Sequence, residues 1–116
     1  MLLKPGLSTQ EREEILSLLE ERGYNTCTRH LRLDEEGIFR VWPNLPKQHL
    51  PGLVAYFSEA QTEAVLVTGE GCVEYCFQLR NMIRARHNLS HPRTLIHASD
   101  NPAKAAREIS AFFNPP

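Results

Sequence analysis

The chain has 116 residues, enough for one domain with a real core, spanning residues 1–116. A formal net charge of −1 offers no basic field, which speaks against nucleic acid or an anionic lipid surface as partner. No apolar run approaches a membrane span, Met1–Gly6 lacks a signal peptide's apolar core, and three cysteines are an odd count for a disulfide framework; a reducing, cytoplasmic setting is expected.

Met1-Leu2-Leu3 is a short apolar run stopped by Pro5-Gly6 and reads as a strand. The sequence leaves open whether this strand begins earlier, in a longer parent chain. Lys4 follows it, and taken alone is a solvated lysine. Ser8-Thr9-Gln10-Glu11 has the form of a capping box, with Ser8 on the amides and Glu11 reaching back. The next helix carries Ile15, Leu16, Leu18 and Leu19 on one side and ends at Gly23. Tyr24 to Leu33 reads as a strand, with Cys27, Leu31 and Leu33 on one face. Thr26, Thr28, His30 and Arg32 lie on the other, a face that is solvated or part of a subunit contact. His30 reads as a surface histidine.

Asp34-Glu35-Glu36 opens a short helical stretch through Trp42, and Pro43, Pro46 and Pro51 punctuate the loop after it. Pro51 starts another short helix, with Leu53, Val54, Tyr56 and Phe57 available for burial. Ala64-Val65-Leu66-Val67 predicts a central strand buried on both faces. Cys72 to about Arg86 is helical, with Val73, Phe77, Met82 and Ile83 as its apolar side. A loop from His87 to Pro92 leads to a short strand, Thr94 to Ile96. Asn101 caps the last helix with Pro102 at its first position, and Ala105, Ile109, Phe112 and Phe113 are its expected buried residues. The order β-α-β-α-α-β-α-β-α predicts an α+β fold: a ferredoxin-like sandwich in which helices cover one face of a four-stranded antiparallel sheet.

Two groups of residues could carry chemistry. Cys72, Cys76, His87 and His91 have a C-x3-C…H-x3-H spacing that resembles a Cys2His2 zinc site. Both cysteines fall in a predicted helix and both histidines near a proline, which is unlike a zinc knuckle, and free cysteine is a common small core residue. The second group is Lys4, Arg80, His97, Ser99 and Glu108. His97 stands at the end of an apolar strand just before a helix start, where helix amides favour phosphate. Each of these residues taken singly has an ordinary structural reading.

Four segments together resemble the nucleoside diphosphate kinase family, over essentially the whole chain. They are Leu2-Leu3-Lys4-Pro5-Gly6-Leu7; Ile15 to Tyr24; Gly52-Leu53-Val54-Ala55-Tyr56-Phe57 with Ala64 to Gly71; and Leu95-Ile96-His97-Ala98-Ser99-Asp100-Asn101-Pro102 followed by Ala105 to Ile109. The last segment is the most specific. The resemblance implies that a phosphoryl group passes from a nucleoside triphosphate to His97 and then to a nucleoside diphosphate, with Mg²⁺ accompanying the nucleotide. It implies Glu108 as the acceptor that fixes the imidazole tautomer, Ser99 as a member of the same network, and Lys4 as the charge against the transferring phosphate. Arg80 matches an arginine on the distal phosphates.

The departures are equally specific. Only Asn81 to Arg93 separate Arg80 from Thr94, where the family carries a long loop. A second arginine carried there has no clear counterpart, although Arg84, Arg86 or Arg93 could substitute. Thr94 stands at an asparagine position that contacts nucleotide, His49 where a phenylalanine stacks on the base, and Gly6 at an aspartate position. Two functions remain open from sequence. One is a compact phosphotransferase. The other is an inactive module for protein contact or nucleotide sensing, similar to divergent domains of larger ciliary proteins. A homo-oligomer or a larger assembly is compatible with both.

Overall fold

The computed structural model describes residues 1–89 and 93–113. Its strands are β1 (Leu2–Leu3), β2 (Asn25–Leu31), β3 (Thr62–Thr68) and β4 (Ile96–His97). Its α-helices are α1 (Thr9–Glu21), α2 (Glu35–Val41), α3 (Leu50–Ser58), α4 (Cys72–His87) and α5 (Pro102–Phe113), with a 3-10 turn at Lys47–His49. The strands form one antiparallel sheet in the order β2-β3-β1-β4. This is the ferredoxin-like order expected from the element sequence. Leu2 sits between Ala64 of β3 and His97 of β4, so the shortest strands hold the residues nearest the site.

Local chemistry accounts for the helix starts. Ser8 Oγ accepts the Glu11 amide at 3.1 Å, Asp34 Oδ1 the Gly37 amide at 2.8 Å, and Asn101 Oδ1 the Lys104 amide at 2.9 Å. Each cap satisfies an orphan amide and contributes about 1 kcal/mol. The capping box at α1 is half formed. Glu11 accepts the Ser8 hydroxyl and pairs with His87 rather than returning to the Ser8 amide.

The sheet divides the apolar residues between two cores. Leu3, Val65 and Ile96 face α1 and α4, where Ile15, Leu19 and Ile83 are fully buried. The alternate residues Leu2 and Ala64 face α2, α3 and α5, against Ile38, Leu53, Phe57 and Phe112. Helices therefore cover both faces, not the single face expected. Burying each such side chain contributes roughly 1.5–3 kcal/mol.

Several faces differ from the sequence reading. Cys27 is exposed, because β2 is an edge strand whose residues Asn25–His30 are all exposed. Val54 is exposed while Leu53, Tyr56 and Phe57 turn inward. In α4 the buried face is Cys76, Leu79 and Ile83, with Val73, Phe77 and Met82 at its margins. In α5 the buried residues are Glu108 and Phe112, with Ala105, Ile109 and Phe113 half-buried. A carboxylate thus replaces an apolar side chain at the centre of that face.

Candidate active site

Among the described residues, no group of three or more histidine, cysteine or acidic side chains could hold a metal ion. Cys72 opens α4 and His87 closes it, ~22 Å apart along the axis by helix rise. His87 is bound to Glu11, and Cys76 is buried, its thiol pushed up to about 11 by desolvation. His91 lies outside the described residues. Helix α4 thus holds Cys72 and Cys76 too far from His87 to share one ion with it.

The other group converges. His97 ends β4, and Glu108 lies on the inner face of α5, which the Asn101 cap starts four residues after the histidine. His97 Nε2 hydrogen-bonds Glu108 Oε1, and the Ser99 hydroxyl donates to Glu108 Oε2, so both carboxylate oxygens are engaged. Burial is the largest influence on His97 and holds its pKa below the ordinary histidine value, although the Glu108 hydrogen bond opposes it. Burial would raise the Glu108 pKa, but its bonds to His97 and Ser99 outweigh that and keep it low. A neutral imidazole beside an ionised carboxylate carries its proton on Nε2, which leaves Nδ1 as the ring's lone-pair nitrogen.

Lys4 is not the solvated lysine it would be in isolation; it is 2% exposed. Its amide donates to the Leu95 carbonyl at 2.8 Å and its Nζ to Thr94 Oγ1 at 3.0 Å. Desolvation, then Arg84 and Arg80, lower its pKa to about 7. The strand that presents His97 begins with a strained turn. Leu95 has φ 69°, and the Ile96 amide reaches back to the Thr94 carbonyl at 2.8 Å, a γ-turn of the rare hand. A left-handed leucine costs on the order of 1–3 kcal/mol, and this one sits between the Lys4 partner Thr94 and the reactive strand.

His97, Ser99 and Glu108 border an open cleft of about 630 Å³, within the size range of small-molecule sites, and Lys4, buried behind Trp42, is not among its lining residues. His97, Ser99, Arg80 and Arg84 line it, with Lys104 and Arg107 on the α5 side. Arg84 donates twice to the Ile96 carbonyl, at 3.2 and 2.9 Å, and burial followed by Arg80 lowers its pKa to about 10. Burial also lowers Arg80, whose Nε is buried with no hydrogen-bond partner among the described residues.

Not every sequence candidate joins this cleft. Arg86 is turned to α1, bonded to Glu14 at 2.7 and 3.0 Å, so α4 presents Arg84 to the cleft in its place. Arg93 pairs with Glu59 and lies over Tyr56. His49 is exposed at the end of the 3-10 turn and is not among the cleft-lining residues, and Thr94 reaches the site through Lys4. The residue that sequence reasoning missed is Trp42. It follows α2, lines the cleft, and packs its ring 5.3 Å from that of His97. No periodicity marks it; only its place at the predicted end of a helix does.

Comparison with known proteins shows the family and the fold. The family model described as nucleoside diphosphate kinase matches residues 1–116. A nucleoside diphosphate kinase of Ignicoccus hospitalis is 29% identical over 126 residues, covering 97% of this chain and 86% of its own. One of Methanoculleus marisnigri is 30% identical over 112 residues, covering 86% and 75%. The fold is also that of an Aquifex aeolicus nucleoside diphosphate kinase crystal structure, with a TM-score of 0.65, 23% identity and coverage of 93% and 88%. With the family model matching from end to end, the chain belongs to the nucleoside diphosphate kinase family.

Proposed function

We propose that this chain transfers the γ-phosphoryl group of a nucleoside triphosphate to a nucleoside diphosphate through a phosphohistidine at His97. The observation that carries this reading is the hydrogen bond from His97 Nε2 to Glu108, which leaves Nδ1 as the nucleophilic nitrogen on a residue that lines the cleft. Attack by Nδ1 forms the N–P bond as the bond to the diphosphate leaving group breaks. Positive charge develops on the ring and is met by the ionised Glu108 carboxylate. The second half-reaction reverses this onto the acceptor diphosphate. Lys4 and Arg84 supply positive charge for the transferring group, and Arg80 for the distal phosphates.

Mg²⁺ belongs to the substrate in this reading, arriving on the nucleotide phosphates. The acidic groups lining the cleft are already engaged: Glu108 by His97 and Ser99, and Asp100 by Lys104. Arg84 takes the place of Arg86 in the cleft, whereas His49, at the position of a base-stacking phenylalanine, is not among the lining residues, which supports a weakened hold on the base. Incubation with γ-labelled ATP and Mg²⁺ tests the proposal. Acid-labile, alkali-stable label should appear on the wild type and be absent from His97→Ala; equal labelling of the two would refute it.

A second reading, an inactive module for protein contact or nucleotide sensing, is favoured by β2. This edge strand is exposed on both faces and leaves one main-chain edge for pairing with another chain. Micromolar binding of ADP by calorimetry would argue against a purely structural role. A homo-oligomer joined through β2 would appear in sedimentation as more than 13.3 kDa.

A further inference from the structure

A single hydrogen bond fixes one atom of a ring and leaves its plane free to swing. Glu108 holds His97 at Nε2 alone, so the direction of Nδ1 needs a second constraint. The Trp42 ring supplies one. Its centroid lies 5.3 Å from that of His97 at an interplanar angle of 69°, the T-shaped arrangement that aromatic quadrupoles favour. Trp42 is itself held: its amide donates to the Ile38 carbonyl at 2.9 Å, and its ring packs on the fully buried Phe57 at 5.9 Å. The same indole faces Lys4, whose Nζ lies 5.4 Å from the ring centroid, within cation–π range.

We propose that Trp42 is a positioning residue for the His97–Lys4 pair: its indole sets the plane of the imidazole and holds the Lys4 ammonium against a π surface, so that nucleophile and phosphate-facing charge keep one geometry. Neither function needs a polar atom on Trp42; both need an aromatic ring. Phenylalanine therefore substitutes for it and an aliphatic side chain of similar bulk does not. Thr94, Arg80 and Arg84 also act on Lys4, and Glu108 on His97. Trp42 is an aromatic side chain that touches both.

The kinetic arm of the test rests on the phosphotransfer reading; the spectroscopic arm does not. Wild type, Trp42→Phe and Trp42→Leu are compared by ¹³C relaxation of the His97 ring carbons and by labelling with γ-labelled ATP. Wild type and Trp42→Phe should show a fixed ring, with order parameters like those of rigid backbone. Trp42→Leu should show clearly lower ring order parameters, and its maximal labelling rate should fall about tenfold or more while half-saturation by ATP moves less than about twofold. Should Trp42→Leu fail to fold, Trp42→Met, unbranched and equally non-aromatic, carries the same comparison. A non-aromatic variant whose His97 ring stays as fixed as in the wild type overturns the proposal, as does a Trp42→Phe ring as mobile as that of Trp42→Leu. A wild type that takes no label refutes the phosphotransfer reading, and the ring-order comparison still decides the role of Trp42.

Discussion

Lys4 should be a costly residue in this fold, and replacing it with methionine should stabilise the protein while removing its activity. The ammonium is 2% exposed and stands near Arg84 and Arg80, which lowers its pKa from 10.5 to about 7. That displacement corresponds to roughly 5 kcal/mol of disfavoured charge burial, at 1.36 kcal/mol per pKa unit. Methionine keeps the stem and loses, among its contacts, the bond to Thr94 and the contact with Trp42, each about 1 kcal/mol. The net expectation is a gain of at most about 2–3 kcal/mol at pH 7. The pH dependence gives the sharper test. Between about 7 and 10.5 the unfolded lysine binds a proton that the folded one has released, so wild-type stability rises with pH over that window. The advantage of Lys4→Met should therefore be full below pH 7 and shrink as pH approaches 10. Urea unfolding of both proteins at pH 6.5, 8 and 9.5 measures it. A difference that stays constant across this range, or grows, would refute the reasoning.

Glu108→Gln should lower His97 labelling by about 10²–10³-fold, because an amide neither stabilises the developing imidazolium nor selects one tautomer; a Gln variant that labels at the wild-type rate would remove Glu108 from the mechanism. Labelling at low ATP should rise through the acid range as His97, whose pKa is depressed by burial, becomes neutral, and fall above about pH 7 as Lys4 discharges. Bound phosphate favours the Lys4 ammonium, so at saturating ATP the alkaline limb should move to higher pH; a stopped-flow pH profile at two ATP concentrations checks both limbs. Arg84→Met should weaken nucleotide binding about tenfold and Arg86→Met by less than twofold, since Arg84 lines the cleft and Arg86 is bonded to Glu14; calorimetry with ADP distinguishes them. Arg12→Leu should destabilise the fold by about 3 kcal/mol by leaving the buried Glu63 carboxylate without its two guanidinium bonds, measured by thermal unfolding.

The candidate site was unevenly legible. His97, Ser99 and Glu108 fall within one strand–cap–helix segment, and the spacing of eleven residues between His97 and Glu108 is set locally once Asn101 starts α5. Lys4 contacts Thr94 across 90 residues of sequence, and no local pattern distinguishes a buried lysine from a solvated one. The choice between Arg84 and Arg86 depends on which way two positions on one helix turn, about 200° apart at 3.6 residues per turn. Both arginines sit on an amphipathic helix whose buried face the sequence placed slightly wrongly.

Local sequence sets the kinds and order of elements, the caps at Ser8 and Asn101, the helix opening at Asp34, and a central β3. Those depend on local hydrogen bonds and on the period of apolar residues, which a few neighbours decide. Tertiary structure alone decided that β2 lies exposed at an edge, that Leu2 and Leu3 serve two separate cores, and that Trp42 meets both Lys4 and His97. Each of these depends on which segments, distant in sequence, the antiparallel order β2-β3-β1-β4 brings side by side. Burial, and with it the charge state of every group at the site, follows from that packing.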